Sequence, residues 1–441
     1  AYRTLTDGAL TKGVQILDGS GWWSSVDSKI ELRLVDGAKA DSEKASILDT
    51  LSLEGYYADS MIEAATKDLL VATIRYDNVR RQNGTYAYTA IVQVVRLATA
   101  NGKFIVRGKV EWSATVTNDP EPERMKRDQP VGVGFDRALV QLPDGTILAQ
   151  ANSSVQKLDL AGGLSIQPVT FVGCSGPNLT DVSAVVIDGQ PFVSSLERFE
   201  SQDYAGVRME RRYLARAALS GAEMKCEKAV NIPGRPLLAT KTGELLVNDT
   251  WVEDVRELPR AAEDEEARFR FSTTSSLLSL KLANGEARLV DEEPLKDSYM
   301  SGTTTVGGRM AQVTSDDSGE AKLEFLSLSP DAELNRSVYR FDLSLGKGAS
   351  LVFVTETAPG KRLGVVRKDD SIQTIEWTDA QPRPTVLKMQ VFDPRFQKSA
   401  PTETVRLGNG WGANDYHYSP GLHTVEVSQG LTGIAQISLT H

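Results

Sequence analysis

Histidine and cysteine are scarce in this chain, with three of the first and two of the second among 441 residues. Any histidine-dependent triad must therefore recruit His417, His423 or the terminal His441. No G-x-S-x-G elbow supplies a serine, and no H-E-x-x-H supplies zinc ligands. The cysteines, Cys174 and Cys226, form no C-x-x-C and no Cys/His cluster, which removes the usual zinc and redox frameworks. They are read either as one disulfide closing a loop of about fifty residues or as two separate buried thiols. No run approaches the roughly eighteen apolar residues of a membrane span, and residue 1 opens without a basic stretch and apolar core. The expectation is a chain with no transmembrane segment, its signal peptide removed or never present.

Positive charge is also in short supply. Asp and Glu number 59 against 49 Lys and Arg, a net charge of -10. No basic cluster is interleaved with aromatics, so phosphate neutralisation cannot drive nucleic-acid binding, and anionic membrane surfaces are disfavoured on the same ground. Helical periodicity is nearly absent too. The one candidate, "DVRELPRAAEDEEARF" at 254–269, is interrupted by Pro259.

What is present is period-two alternation cut by Gly, Pro, Asp and Asn, which reads as all-β. A turn followed by a short apolar strand recurs seven times, at Asp68, Gly145, Gly189, Gly243, Gly308, Gly360 and Gly421. Such turn residues supply the positive φ of a tight hairpin. Two further alternating segments follow most of them, for example "SSVQKLDLAG" then "LSIQPVTFVG". Four short strands per unit is the sequence pattern of a β-propeller blade. A string of sandwiches would need about seven strands per domain and clear linkers, and no such linker appears.

The reading is one domain, 1–441, a seven-bladed β-propeller closed by N-terminal strands (1–54) that complete the C-terminal blade. Eight blades is the alternative, if "AYRTLTDG" and "GVQILDG" form the inner half of a first blade. In this scheme "LSLEGYYADS", residues 51–60, is an outermost strand, a crossing at Gly55 and the start of the next innermost strand.

Two stretches carry a family likeness. "ILDTLSLEGYYADSMI" followed by "LLVATI", and residues 388–427 with "KMQVFDPRFQKSAPTETVRLGNGWGANDYHYSPGLHTVEV", resemble the secreted bacterial β-propeller domain family, which is distantly WD40-like. The likeness covers about a sixth of the chain near both ends and in the expected order. Met61 stands where the family usually has a basic residue, and "DYHY" offsets Asp415 and His417 from the family's Asp-His-Lys run. The resemblance implies an exported or envelope-associated protein more than it implies a reaction.

Several residues are candidates for chemistry. Asp59, Asp136, Asp181, Asp297 and Asp415 each precede a hairpin turn at similar spacing, which would bring carboxylates toward one channel mouth, with His417 beside the last. Oxygen ligands of this kind suit Ca²⁺. The competing reading is that Asp caps loops where a chain turns into a strand. His417 and His423 are weighed as a metal pair against ordinary strand-surface histidines. "GNGWGAND" lacks the glycine spacing and following helix of a phosphate loop, and "SDDSGEA" at 315–321 lacks the spacing of a calcium loop.

Sequons at Asn83, Asn152, Asn178, Asn248 and Asn335 are read as polar loop residues. Two charged insertions, 117–130 and 252–268, are candidate recognition loops; Glu263, Asp264, Glu265 and Glu266 dominate the second. Trp22 and Trp23 either cover the closing blade or anchor a partner. Taken together, the expectation is a non-enzymatic binding or scaffold protein, secreted, periplasmic or on the outer cell surface. Its partner would be a protein or surface polysaccharide held through rim loops, with no cofactor beyond a candidate Ca²⁺. The alternative is a metal-dependent hydrolase or lyase at the channel mouth.

Overall fold

A computed structural model of the chain describes residues 2–7, 10–18, 29–36, 47–63, 65–82, 85–117, 137–151, 154–174, 181–200, 208–257, 269–295, 304–306, 308–316, 318–392, 400–406, 415–419, 424–429 and 433–440. Every regular element among them is a β-strand.

The first sheet holds β1 (Tyr2–Asp7), β2 (Leu10–Asp18), β3 (Lys29–Asp36) and β4 (Ile47–Glu54) in chain order. The second holds β5 (Tyr56–Ile62), β6 (Leu69–Gln82), β7 (Thr85–Ala100) and β8 (Lys103–Thr117), and the third β9 (Leu139–Gln141), β10 (Ile147–Ala151), β11 (Ser154–Asp159) and β12 (Ser165–Pro168). The fourth contains β13 (Thr170–Val172), β14 (Asp181–Ile187), β15 (Gln190–Glu200), β16 (Arg208–Ser220), β17 (Glu223–Cys226) and β18 (Val230–Ile232). Here β13 is added outside β17 in parallel, and β18 pairs with the inner part of β16.

The fifth sheet is β19 (Arg235–Ala239), β20 (Glu244–Glu257), β21 (Phe269–Ala283) and β22 (Glu286–Leu295). The sixth is β23 (Thr304–Val306), β24 (Arg309–Ser315), β25 (Glu320–Leu328) and β26 (Leu334–Asp342). The last sheet joins β27 (Ser350–Ala358), β28 (Lys361–Lys368), β29 (Ser371–Thr378), β30 (Thr385–Phe392) and the short β31 (Val405–Arg406) to β32 (Asp415–Ser419), β33 (Thr424–Gln429) and β34 (Gly433–Thr440).

Alternation explains how consecutive sheets share cores. Within β6, Leu69 and Val71 pack toward the first sheet against Val14, Leu32 and Leu53, whereas Leu70 and Ala72 pack toward the third against Leu139, Ile147 and Ala149. Period two puts neighbours on opposite faces, and both faces are apolar because both are covered. The same division recurs: Leu148 with Val193, Phe192 with Leu245, Leu246 with Leu326, Phe325 with Trp377, and Leu363 with Val425. The chain thus lays sheet against sheet in sequence order, and β1 returns to lie against β32 and β33.

The turns at Asp68, Gly145, Gly189, Gly243, Gly308 and Gly360 each join the first two strands of a four-strand group. β32 and β33 pair across Gly421, which lies outside the described residues. The hand-off at 51–60 follows the expected course, with β4 outermost in one sheet and β5 leading the next. Gly55 has φ +93°, and a Cβ there would lie 2.8 Å from the Ile74 carbonyl oxygen of β6. Gly234 repeats the arrangement before β19, at φ +81° and with a Cβ there running into Asn248 O of β20. Both positions need a residue without a side chain.

Three expectations are corrected. Residues 2–54 do not complete the C-terminal strands; they form a sheet of their own, with a buried face of Val14, Ile16, Ile30, Leu32 and Leu34 that the second sheet covers. The C-terminal strands are extended instead by β30, which pairs β29 through Thr385–Leu387 and β34 through Lys388–Phe392. The acidic insertion at 252–268 is not wholly a loop, because β20 runs to Glu257 and pairs with β21 from Phe269 onward. Asn248 and Asn335 sit in β20 and β26 rather than in loops.

Between three pairs of consecutive sheets, polar ties recur in the same place. From the third strand of the second sheet, Arg96 Nη1 donates to Leu160 O and Gly163 O, in the turn before the fourth strand of the third sheet. Lys157 Nζ reaches Gly221 O in the fourth sheet from the equivalent strand of the third. Lys281 Nζ reaches Pro330 O, and Ser279 Oγ reaches Ala332 O, from the fifth to the sixth. Turn carbonyls, which no ladder satisfies, are thus capped by the preceding sheet. The Cys174–Cys226 disulfide ties the end of β13 to the end of β17, at 4.8 Å between Cα atoms.

Candidate functional site

The outer end of the sixth sheet carries a cleft of about 670 Å³ lined by Lys322, Glu324, Arg336, Val338, Tyr339, Arg340 and Arg383. Four of these seven are cationic, on a chain whose net charge is -10. Antiparallel pairing of β25 with β26 builds the floor. Lys322 faces Arg340, Glu324 faces Val338 and Leu326 faces Arg336. Arg336, Val338 and Arg340 alternate along β26 and therefore share one face. Arg383 comes from the turn between β29 and β30 in the next sheet.

The charges are unevenly matched. Arg336 Nη2 meets Glu293 Oε1 of β22 at 2.5 Å, which ties the sixth sheet to the fifth. Glu324 lies 4.0 Å from Arg336 and accepts a 2.6 Å hydrogen bond from Gln312 Nε2. Arg340 Nη1 meets Glu320 Oε1 at 2.5 Å, and that hydrogen bond, with the carboxylate's charge, raises the guanidinium pKa further. Lys322 and Arg383 have no ion pair among the described residues. Lys322 stands directly across the ladder from Arg340, a like-charge pairing that the charge of Asp316, acting on both, partly offsets. Behind the cleft, Tyr339 packs edge-on against Phe325 at 6.0 Å, and Phe325 rests on Trp377 of the following sheet at 6.0 Å. This arrangement can bind an anionic group and rest an apolar surface on Val338, which shares the face of Arg336 and Arg340.

Of the aspartates singled out from sequence, Asp59 is described in full. Its Oδ1 accepts from Ser60 N at 2.8 Å, and its Oδ2 accepts from Leu139 N at 3.1 Å. The second bond crosses from β5 to β9, so this carboxylate joins two leading strands. Asp181 and Asp415 begin β14 and β32, and His417 lies within β32. Asp136, Asp297, His423 and His441 lie outside the described residues, as do Trp22, Trp23, Glu263, Asp264, Glu265 and Glu266. Among the described residues, no group of three or more His, Cys, Asp or Glu is placed to hold a metal ion. No helix there is long and apolar enough to cross a membrane.

The cleft was missed in the sequence because its signal is spread over three strands. "NRSVYRFDL" does show Arg-Val-Arg at alternate positions. Only the register that sets Lys322 opposite Arg340 reveals the excess of positive charge.

Comparison with known proteins adds little. No protein-family model matches the chain, and no curated protein matches it. Among solved structures it is similar to the crystal structure of polysaccharide lyase Uly1, at 9% sequence identity over 88% of each chain with a TM-score of 0.36, a level that assigns neither fold nor activity.

Proposed function

We propose that the chain is an exported, non-enzymatic binding module that holds an anionic partner at the cleft of β25 and β26. The observation that carries this reading is the Lys322–Arg340 pair with Arg336 and Arg383 beside it: four cations line the cleft against one lining carboxylate, that of Glu324, while Glu293 and Glu320 meet Arg336 and Arg340 from outside the lining. Such a site rewards a ligand that brings negative charge.

As to the frame, the reading is a single propeller of eight blades. Its support is the succession of shared cores, the contact of β1 with β32 and β33, and the passage of β30 from one four-strand group to another. Export is supported by the Cys174–Cys226 bond, since such bonds persist in oxidising compartments. Of the carboxylates that the metal-dependent alternative would use, Asp59 has both oxygens already accepting main-chain N–H groups.

The test is retention of the purified protein on immobilised carboxylated and sulfated polysaccharides and an acidic peptide, with neutral dextran as control. Retention on an anionic matrix that falls with added salt, and is lost in Lys322→Glu/Arg383→Glu at unchanged melting temperature, supports the site. Equal retention of the variant, or none on any matrix, overturns it.

A further inference from the structure

Resting on that reading, we infer that the partner group is an extended acidic peptide segment that adds as a strand to the free edge of β26. β26 is the last strand of its sheet, and among the described residues no strand pairs with its outer edge. Asn335, Arg336, Ser337, Val338 and Arg340 on it are all exposed. An edge of this kind offers a row of main-chain donors and acceptors that another strand can satisfy.

Spacing selects the occupant. Arg336 and Arg340 share one face and lie about 13 Å apart along the strand, with Val338 midway; Glu293 and Glu320 each hold one of them, so an incoming carboxylate shares or displaces that partner. An added strand has the same rise, so carboxylates at alternate positions fall into register with these cations, and the segment's acidic face meets the cleft containing Lys322 and Arg383. Cross-strand pairs of opposite charge stabilise a ladder, and like charges oppose it. The same rule works against a second copy of this chain: two β26 edges pairing antiparallel about Val338 would set Arg336 against Arg340 at both ends. The edge is therefore built to refuse itself and to accept an acidic strand. An anionic sugar chain would use the cations but leave the main-chain edge unsatisfied.

The probe is a fluorescent eleven-residue peptide alternating Glu and Thr, titrated with the intact protein at low salt and followed by anisotropy. Two further peptides carry backbone N-methyl groups on every Glu or on every Thr. Strand addition uses the N–H groups of one edge only, so binding should weaken tenfold or more for one methylated series and persist for the other. Arg340→Glu/Arg383→Glu should weaken the unmodified peptide by about tenfold, consistent with the loss of close charge pairs. Equal binding by both methylated series, or loss in both, overturns strand addition. No peptide binding alongside retention on an anionic polysaccharide overturns it while leaving the anion site intact. Binding to neither overturns both readings.

Discussion

The side-chain amide of Gln150 closes a two-bond ring with the main chain of Ala184: Nε2 donates to Ala184 O at 2.9 Å, and Oε1 accepts from Ala184 N at 2.9 Å. The ring joins β10 to β14, and Nε2 also donates to Arg137 O. Gln150 is 2% exposed, so its own strand and the neighbouring sheet share one buried polar tie. Gln150→Met keeps the bulk and removes all three bonds, leaving Ala184 N–H and C=O without these partners. A buried group without a partner costs about 1–3 kcal/mol, so chemical denaturation should show a loss in that range or above it. An unchanged midpoint would mean that this tie contributes nothing.

A second tie is charged. Arg96 Nε meets Asp68 Oδ2 at 2.6 Å with side-chain exposures of 6% and 4%, and its Nη1 holds two carbonyls of the next sheet. Removing one partner strands the other in a buried setting, at about 3–5 kcal/mol. Arg96→Met should therefore destabilise strongly. The paired change Arg96→Met with Asp68→Asn should recover part of the loss, with Arg107, 3.4 Å from the same carboxylate oxygen, exposed throughout. Absence of any recovery in thermal unfolding would show that the carbonyl contacts carry the effect.

Gly55 tests the hand-off between sheets. Its φ of +93° and the 2.8 Å approach of Ile74 O to a hypothetical Cβ combine backbone strain with a clash against backbone. Gly55→Ala should lower stability by about 1–3 kcal/mol or more, whereas Gly145→Ala, with φ +87° but nothing within 4 Å, should cost less. Equal melting temperatures for the two variants would remove the steric part of the account.

How far the sequence could be read follows from which interactions are local. The hairpins at Asp68, Gly145, Gly189, Gly243, Gly308 and Gly360 were legible because a tight turn and its flanking alternation lie within a dozen residues. So was the crossing at Gly55. The membership of residues 2–54 was misread because strand partners are decided by which buried face finds cover, and that lies some forty residues away in Leu69, Val71 and Val95. The cleft was illegible for the same reason: Lys322 and Arg340 become neighbours only through ladder register. Asp59 was noticed for its charge, but its two hydrogen bonds to main-chain N–H groups give it a joining role that composition cannot signal.

The Cys174–Cys226 bond links positions 52 residues apart and fastens β13 in parallel beside β17. Cross-linking of this span limits the unfolded chain, with a contribution of about 2–4 kcal/mol. Reduction, or the double change to serine, should lower the melting temperature by several degrees. Three-residue β13 otherwise rests on its short ladder to β17 and on Phe171 in the core, so amide exchange should rise there and in β17 before it rises in β15. Uniform protection across the sheet after reduction would show that β13 is held by its ladder alone.

Acid should act through two buried turn carboxylates. Burial pushes the Glu63 carboxyl up, but hydrogen bonds from the Thr66 hydroxyl and from the Ala65 and Thr66 N–H groups, with the charge of Arg96, outweigh it and leave the group below its ordinary value. Glu244 is held down in the same way, burial being outweighed by the Thr240 and Thr242 hydroxyls and by Lys281. Both groups bind protons less readily folded than unfolded. Their stabilisation is therefore complete above the ordinary glutamate value and is lost as pH falls through the lowered folded values. Unfolding free energy should decline from about pH 5 downward, with a slope set partly by this pair. The Glu63→Gln/Glu244→Gln variant should start less stable at neutral pH and decline less steeply in acid. Parallel curves for variant and parent would place the acid sensitivity elsewhere in the chain.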